Sequence, residues 1–271
     1  MTTGDLHIDL DVLTHESEDV YHAKAGEFLS SHLLADFRKS PLLYYKRRLG
    51  LIYDIDRPAY LLGRAAHVRI LEGRDRYQDQ FAIGGPINPK TGKPYGANTN
   101  AFADWAAAQG KPVLTAEQAH LIEDMAVGVA TNEPAVDLII DGVAEGVVRQ
   151  EINDVPCQIR MDWLNPHRGI VDLKTCDDLT WFEADARRYG YAHQLAFYRS
   201  VLFQAADLLA PVHFIAVEKK EPFRAGVWLV CEETLAQCAR ENAAAIERMK
   251  DCDRLGNWPT GYEEVRVFDA I

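Results

Sequence analysis

The sequence predicts an α/β domain, with a mixed sheet and a helical elaboration on its N-terminal side. Three observations carry this expectation. Helical patterns dominate residues 28–131. Three strand-like runs with turn signals between them occupy residues 142–175. A helix, two further strands and a last helix close the chain, an alternation that builds layers. With 48% hydrophobic and 26% charged residues in 271, the chain has the balance of a globular protein with a sizeable core. One elaborated domain can reach this length.

Taken in order, the first 20 residues read as extended or loose. Residues 28–49 (FLSSHLLADFRKSPLLYYKRRL) read as one or two short helices, with Ser30 or Ser31 as N-cap and Pro41 opening a second turn. They end in the basic cluster Lys46, Arg47 and Arg48. Residues 58–73 fit a helix, because Leu62, Ala66 and Ile70 recur at i, i+4 and i+8 and Gly73 is a stop signal. His67 lies at the edge of that apolar face. Residues 84–98 (GGPINPKTGKPYGAN) form a long loop by their Gly, Pro and Asn content. Two helices follow at 99–109 and 115–131, the second opened by a Thr115–Gln118 capping box.

GVAEGVVRQEI (142–152), PCQIRMDWL (156–164) and GIVDLKT (169–175) then form an antiparallel meander, with turns at Asn153-Asp154-Val155-Pro156 and Asn165-Pro166-His167-Arg168-Gly169. A capping box of Thr180 and Glu183 starts a long helix running to 208, and Pro211 follows its end. Strands at 212–219 and 226–230 and a helix at 233–253 complete the chain. The elements read as one domain over 1–271: a loose stretch at 1–20, a mainly helical part at 21–140 and the sheet-bearing part at 141–255.

The formal net charge is −12. That argues against a protein that simply coats nucleic acid, since phosphate neutralisation supplies most of such binding. It leaves room for an enzyme that gathers basic side chains in one channel. No apolar run approaches the roughly 20 residues of a membrane span, and the acidic N-terminus has no apolar core of a signal peptide. A cytoplasmic protein is expected, with no membrane contact. The five cysteines (Cys157, Cys176, Cys231, Cys238 and Cys252) are scattered and contain no CxxC, so neither a disulfide framework nor a structural zinc site is expected.

The chemistry-bearing stretch is IVDLKTCDD, residues 170–178. Side chains alternate across a strand, so Asp172 and Lys174 share one face with Ile170, while Val171 and Leu173 share the other. In the preceding strand Ile159, Met161 and Trp163 share a face, with Asp162 opposite them. A hairpin through 165–169 brings Asp162 and Asp172 together. Two neighbouring carboxylates repel unless a cation lies between them. Mg²⁺ suits such a pair and leaves places for water and phosphate. A D-x-K alone is also compatible with a surface ion pair worth at most about 1 kcal/mol; D-x9-D-x-K on a hairpin says more. Gln194 and Tyr198, at i and i+4, share a helix face. Cys176, Asp177 and Asp178 read as connection.

In order, His67, Glu145, Asp162, Asp172-Leu173-Lys174 and Gln194-x-x-x-Tyr198 resemble the PD-(D/E)xK nuclease superfamily, more narrowly its RecB-like group. Within that group the chain is most similar to RecE-type exonucleases (the exodeoxyribonuclease VIII nuclease domain). YHAKAGEFLSSHLLADFRKSPLLYY, LLGRAAHVRILEG, NPKTGKPYGANTNAFADWAAAQGKPVLTAEQ and AVEKKEPFRAGVW extend the likeness over residues 20–255. The "PD" element is Met161-Asp162 here.

The resemblance implies a restriction-endonuclease-like core, a central mixed β-sheet flanked by helices, with 141–255 as its catalytic part. It implies a metal-dependent 5′→3′ exonuclease on linear double-stranded DNA, leaving 3′ single-stranded tails for recombination in phage or prophage. It also implies a RecT-type single-strand annealing partner and a homo-oligomer (a ring, trimer or tetramer). Asp162, Asp172, the Leu173 carbonyl and His67 would hold Mg²⁺ or Mn²⁺. Lys174 would be catalytic, Glu145 would bind a second metal or a water, Gln194 would position water or phosphate, and Tyr198 would support it. Some RecB-like relatives carry an iron–sulfur cluster on four cysteines; the cysteine spacing here does not provide one. Candidate DNA contacts are Arg64, Lys46, Arg47, Arg48, Arg187 and Arg188. The other readings are a nuclease of this superfamily that cuts single strands or cuts internally, a DNA-binding relative without catalysis, and a metal-dependent enzyme on another substrate.

Overall fold

The computed structural model describes residues 6–52 and 58–268. The N-terminal segment was expected to be extended or loose. Residues 1–5 lie outside the described residues, and the rest is extended up to Ser17 apart from a 3-10 turn at Leu10–Val12, and is pinned. Thr14 and Val147 exchange two backbone hydrogen bonds, at 2.9 and 3.0 Å, and the Ile8 amide donates to the Pro166 carbonyl. Ile8, 1% exposed, and Leu13 enter the core, which is why a segment of mixed polarity stays in place. Helix α1 (Glu18–Ala23), capped by Ser17, follows.

Ser30 caps α2 (Ser31–Lys39) by accepting from the Leu33 amide. Pro41 starts α3 (Pro41–Arg48), where its missing N–H costs nothing. Helix α4 (Pro58–His67) passes at His67 into a π-turn, Val68–Glu72, and Gly73 ends it at φ 92°. Wide turns of this kind reposition side chains and recur at functional sites. Two short elements, α5 (Arg74–Gln80) and β1 (Ala82–Ile83), precede the loop. Then come α6 (Asn100–Ala108), β2 (Val113–Leu114), which pairs with β1, α7 (Ala116–Ala130) with the full Thr115–Gln118 capping box, and α8 (Glu133–Ile139).

Five strands form the central sheet in chain order: β3 (Val143–Ile152), β4 (Val155–Asn165), β5 (Gly169–Cys176), β6 (Val212–Glu218) and β7 (Ala225–Leu229). All neighbours are antiparallel except β5 and β6, which run parallel across the helical crossover. The fold is therefore a central mixed sheet flanked by helices, in the restriction-endonuclease-like arrangement. One face carries α2, α10 (Tyr191–Ala206) and α11 (Glu232–Leu255), with Leu34, Phe37, Leu195, Val201, Leu235 and Ile246 in its core. The other carries α4, α5, α7 and α8, with Ala65, Tyr77, Ile122, Met125 and Leu138.

Two expectations about the crossover need correction. The Thr180–Glu183 capping box does not form. Asp178 instead accepts from the Thr180 amide and caps a 3-10 turn, Leu179–Trp181. The long helix is also broken: α9 (Phe182–Tyr189) stops at Gly190, which is left-handed at φ 70°, and α10 starts at once.

Glu218 locks this connection from the sheet side. Its side chain is 1% exposed and accepts from the Leu179 amide at 3.0 Å and from Arg224 Nε at 2.9 Å and a terminal nitrogen at 2.6 Å. The Arg224 guanidinium holds the carboxyl down to about 2, against an ordinary 4.5. A depressed carboxyl contributes stability that is complete above its unfolded value and is lost as pH falls through its folded value. Acid should therefore destabilise the fold progressively from about pH 4.5 towards 2. Denaturant melts of Glu218→Gln over that range should show a flatter pH profile; an unchanged slope would rule out this coupling.

Candidate active site

The register across the meander places the carboxylates. Trp163 pairs with Val171, Leu164 with Ile170 and Asn165 with Gly169, and the ladder between β4 and β5 stops there. Continuing this register would set Asp162 against Asp172, as the D-x9-D spacing predicts. Beyond that point β4 pairs only with β3, and β5 only with β6. Asp162 closes the split with its side chain: its Oδ2 accepts from the Leu173 amide at 2.9 Å.

The split also corrects the expected facing of β4. Ile159 and Met161 pack on the α10 side, but Trp163 packs on the α7 side. The alternation slips by one residue around Asp162. Glu145 on β3 shows the matching irregularity. Its neighbours Ala144 and Gly146 pair with Trp163 and Met161, which sets Glu145 opposite Asp162, and its φ is 57°. A left-handed non-glycine residue inside a strand is strained, and such strain concentrates at functional sites.

The side chains converge from three directions. From α4, His67 Nδ1 lies 3.4 Å from Asp162 Oδ2. From β5, Lys174 Nζ lies 2.5 Å from Asp172 Oδ2. From α10, Gln194 Nε2 donates to Tyr198 Oη at 3.1 Å and lies 3.4 Å from Asp172 Oδ1. Asp172 is sealed at 1% exposure while Lys174 keeps 18% of its side chain exposed, so the lysine is the half of the pair that a ligand can reach.

Burial pushes the Asp172 carboxyl up and Asp162 adds to this, while the Lys174 charge opposes it. Burial works against the Lys174 charge, but Asp172 and Asp162 outweigh it and raise the amine, which stays protonated. Burial and then the Asp162 charge push Glu145 up to about 8, against the pull of Arg160, whose Nε lies 2.7 Å away. Glu72 and Glu18 add to the same repulsion.

Among the described residues, no three His, Cys, Asp or Glu side chains form a ready metal cage. The donor set nevertheless fits a divalent cation. Asp162 and Glu145 repel each other across the β3–β4 pair, and the buried Asp172 Oδ2 has an ion-pair contact but no aligned hydrogen bond. A hard cation with oxygen ligands relieves both conditions.

Of the predicted residues, the fold brings together His67, Glu145, Asp162, Asp172, Leu173, Lys174, Gln194 and Tyr198. Arg64 sits one turn before His67 on α4 and is exposed. The basic cluster on α3 is elsewhere. Arg47 pairs with Asp36 at 2.5 Å. Arg48 donates twice to Asp253 and lies 4.9 Å over the Trp258 ring, which gives it a task in the fold. Lys46 is exposed, and Arg187 is exposed and pairs with Glu183 at 3.0 Å. Arg188 is exposed beside Tyr189. Sequence reasoning passed over Arg160 and Tyr191. Tyr191, whose ring centre lies 4.8 Å from Lys174 Nζ, is three residues before Gln194 and so on the same helix face. That spacing was the available signal.

A strained, split sheet that gathers acidic side chains and one half-buried lysine is a PD-(D/E)xK-like fold. The chain belongs to the family described as PDDEXK-like domain of unknown function (DUF3799), whose model matches residues 30–270. It is also similar to a crystal structure described as a "Putative exonuclease" from Eubacterium rectale, at 14% identity and a TM-score of 0.67, over 95% of this chain and 97% of that one. No curated protein matches. No helix among the described residues is long and apolar enough to cross a membrane.

Proposed function

We propose that this protein is a metal-dependent exodeoxyribonuclease that degrades linear duplex DNA 5′→3′ in the cytoplasm and leaves 3′ tails for recombination. The observation that supports it most is the Asp162–Asp172–Lys174 group at the split, with Gln194 aimed into it from α10. The RecE-like motif order supports the exonuclease form, and with it a RecT-type annealing partner and a ring-forming homo-oligomer. Asp162, Asp172, the Leu173 carbonyl and His67 would hold Mg²⁺ or Mn²⁺, with Glu145 as a further ligand, and the cation would activate water and offset charge on the phosphate.

The protein's own side chains divide the remaining work. Lys174 keeps its proton and presents a fixed positive charge to the phosphate oxygens, where negative charge grows during attack. Asp172 holds that amine in place. The Gln194 amide, steadied by Tyr198, orients water or a phosphate oxygen. Glu145, pushed up to about 8 by burial and Asp162, would hold a proton near neutral pH in the absence of a cation and would serve as a further ligand with one bound.

The deciding assay compares linear with covalently closed circular duplex in Mg²⁺. Nucleotide release from the linear form alone is the expected result. Cutting of closed circles would overturn the exonuclease assignment, and DNA binding without release would point to a non-catalytic relative.

A further inference from the structure

The helix break at Gly190 builds something the metal site does not use. Residues two apart on a continuous helix do not face each other. Because Gly190 is left-handed, Tyr189 at the end of α9 and Tyr191 at the start of α10 stack instead, with ring centres 5.9 Å apart and planes 27° apart. The inner ring, Tyr191, lies against Lys174. The outer ring, Tyr189, is 60% exposed. The exposed Arg188 guanidinium lies 5.6 Å over it. An aromatic and cationic column thus runs outward from the lysine that would meet the scissile phosphate.

We propose that Tyr189 and Tyr191, with Arg188, form a stacking platform for one unpaired nucleobase of the strand held at Lys174. The inference rests on the nuclease reading above and deepens it, because it makes the bound form of the substrate a frayed end. Single-stranded nucleic acid is held by this pairing of exposed aromatic faces with positive charge. A base entering on Tyr189 exchanges places with the Arg188 guanidinium, which then meets the adjoining phosphate. A base inside a duplex has both faces covered by its neighbours, so the platform serves bases at an end and holds best those freed from their partner.

The test uses a short single strand carrying 2-aminopurine near its 5′ end, with Ca²⁺ in place of Mg²⁺ so that binding is read without cleavage. The wild-type chain should quench the fluorophore on binding. Tyr189→Leu should weaken binding about 5- to 150-fold, the range for one base on one aromatic side chain, and lose the quench. Tyr189→Phe should keep both. In Mg²⁺, Tyr189→Leu should raise KM for linear duplex far more than it lowers kcat. Equal quench in wild type and Tyr189→Leu, or none in wild type, would overturn the platform. Quench in wild type without nucleotide release in Mg²⁺ would overturn the nuclease reading and leave the platform standing.

Discussion

Lys174→Ala should abolish cation-dependent release of nucleotides from end-labelled linear duplex, by at least about a hundredfold, the usual effect of removing a positioned charge from a developing oxyanion. The chain should still fold. Removing one partner of a buried ion pair is costly when the other is left charged, about 3–5 kcal/mol. Asp172 has an escape from that cost. Burial and Asp162 already push its carboxyl upward against the lysine. Without the lysine it will take up a proton and remain as a neutral group beside Gln194. Circular dichroism should therefore show a native spectrum for the variant. Full activity in Lys174→Ala would remove the lysine from the mechanism.

Gly169→Ala should cost about 3 kcal/mol or more in stability, the range reserved for a special backbone position that is also sterically closed. Gly169 opens β5 at φ +89°, and an added Cβ would stand 2.2 Å from the Pro211 carbonyl oxygen. The backbone has little room to retreat. The Ile170 amide donates to that same carbonyl at 2.9 Å, and Gly169 pairs with Asn165 across the turn. The substitution must therefore break either the β5–β6 contact or the turn that brings the Asp162 side chain to the Leu173 amide. Urea unfolding measures it directly: a midpoint equal to wild type would show that the turn can relax, and the register argument would fail with it.

Much of this site could be read from spacing. The D-x9-D interval works because Asn165–Gly169 is a short turn that leaves one register, and Gln194 with Tyr198 needs only helix periodicity. The Thr115–Gln118 box formed as read because both residues stand at a free helix start. The Thr180–Glu183 box has the same letters but lost to a competitor. Asp178 caps the turn, and the Glu183 carboxylate instead accepts from Arg187 and from the Trp228 indole N–H. The break at Gly190 was hidden because Tyr-Gly-Tyr between two amphipathic runs preserves apolar periodicity, and a glycine's φ is not a pattern. Trp163 was misplaced because strict alternation assumes a regular strand, whereas Glu145 and Asp162 interrupt two strands together. The pinned N-terminus depends on long-range pairing with Val147, which local sequence does not encode.

The way the sheet divides at Asp162 bears on how this protein can change over generations. The seam between β4 and β5 is set at one end by three ladder pairs and beyond them by one side-chain bond to Leu173. The β3–β4 hairpin turns at Asn153 and Asp154, at the far end of β4 from that seam. Insertions or deletions there do not slide Asp162 past Asp172. The tip of that hairpin can therefore lengthen over generations without moving Asp162 relative to Asp172, provided the β3–β4 register that holds Glu145 opposite Asp162 is kept.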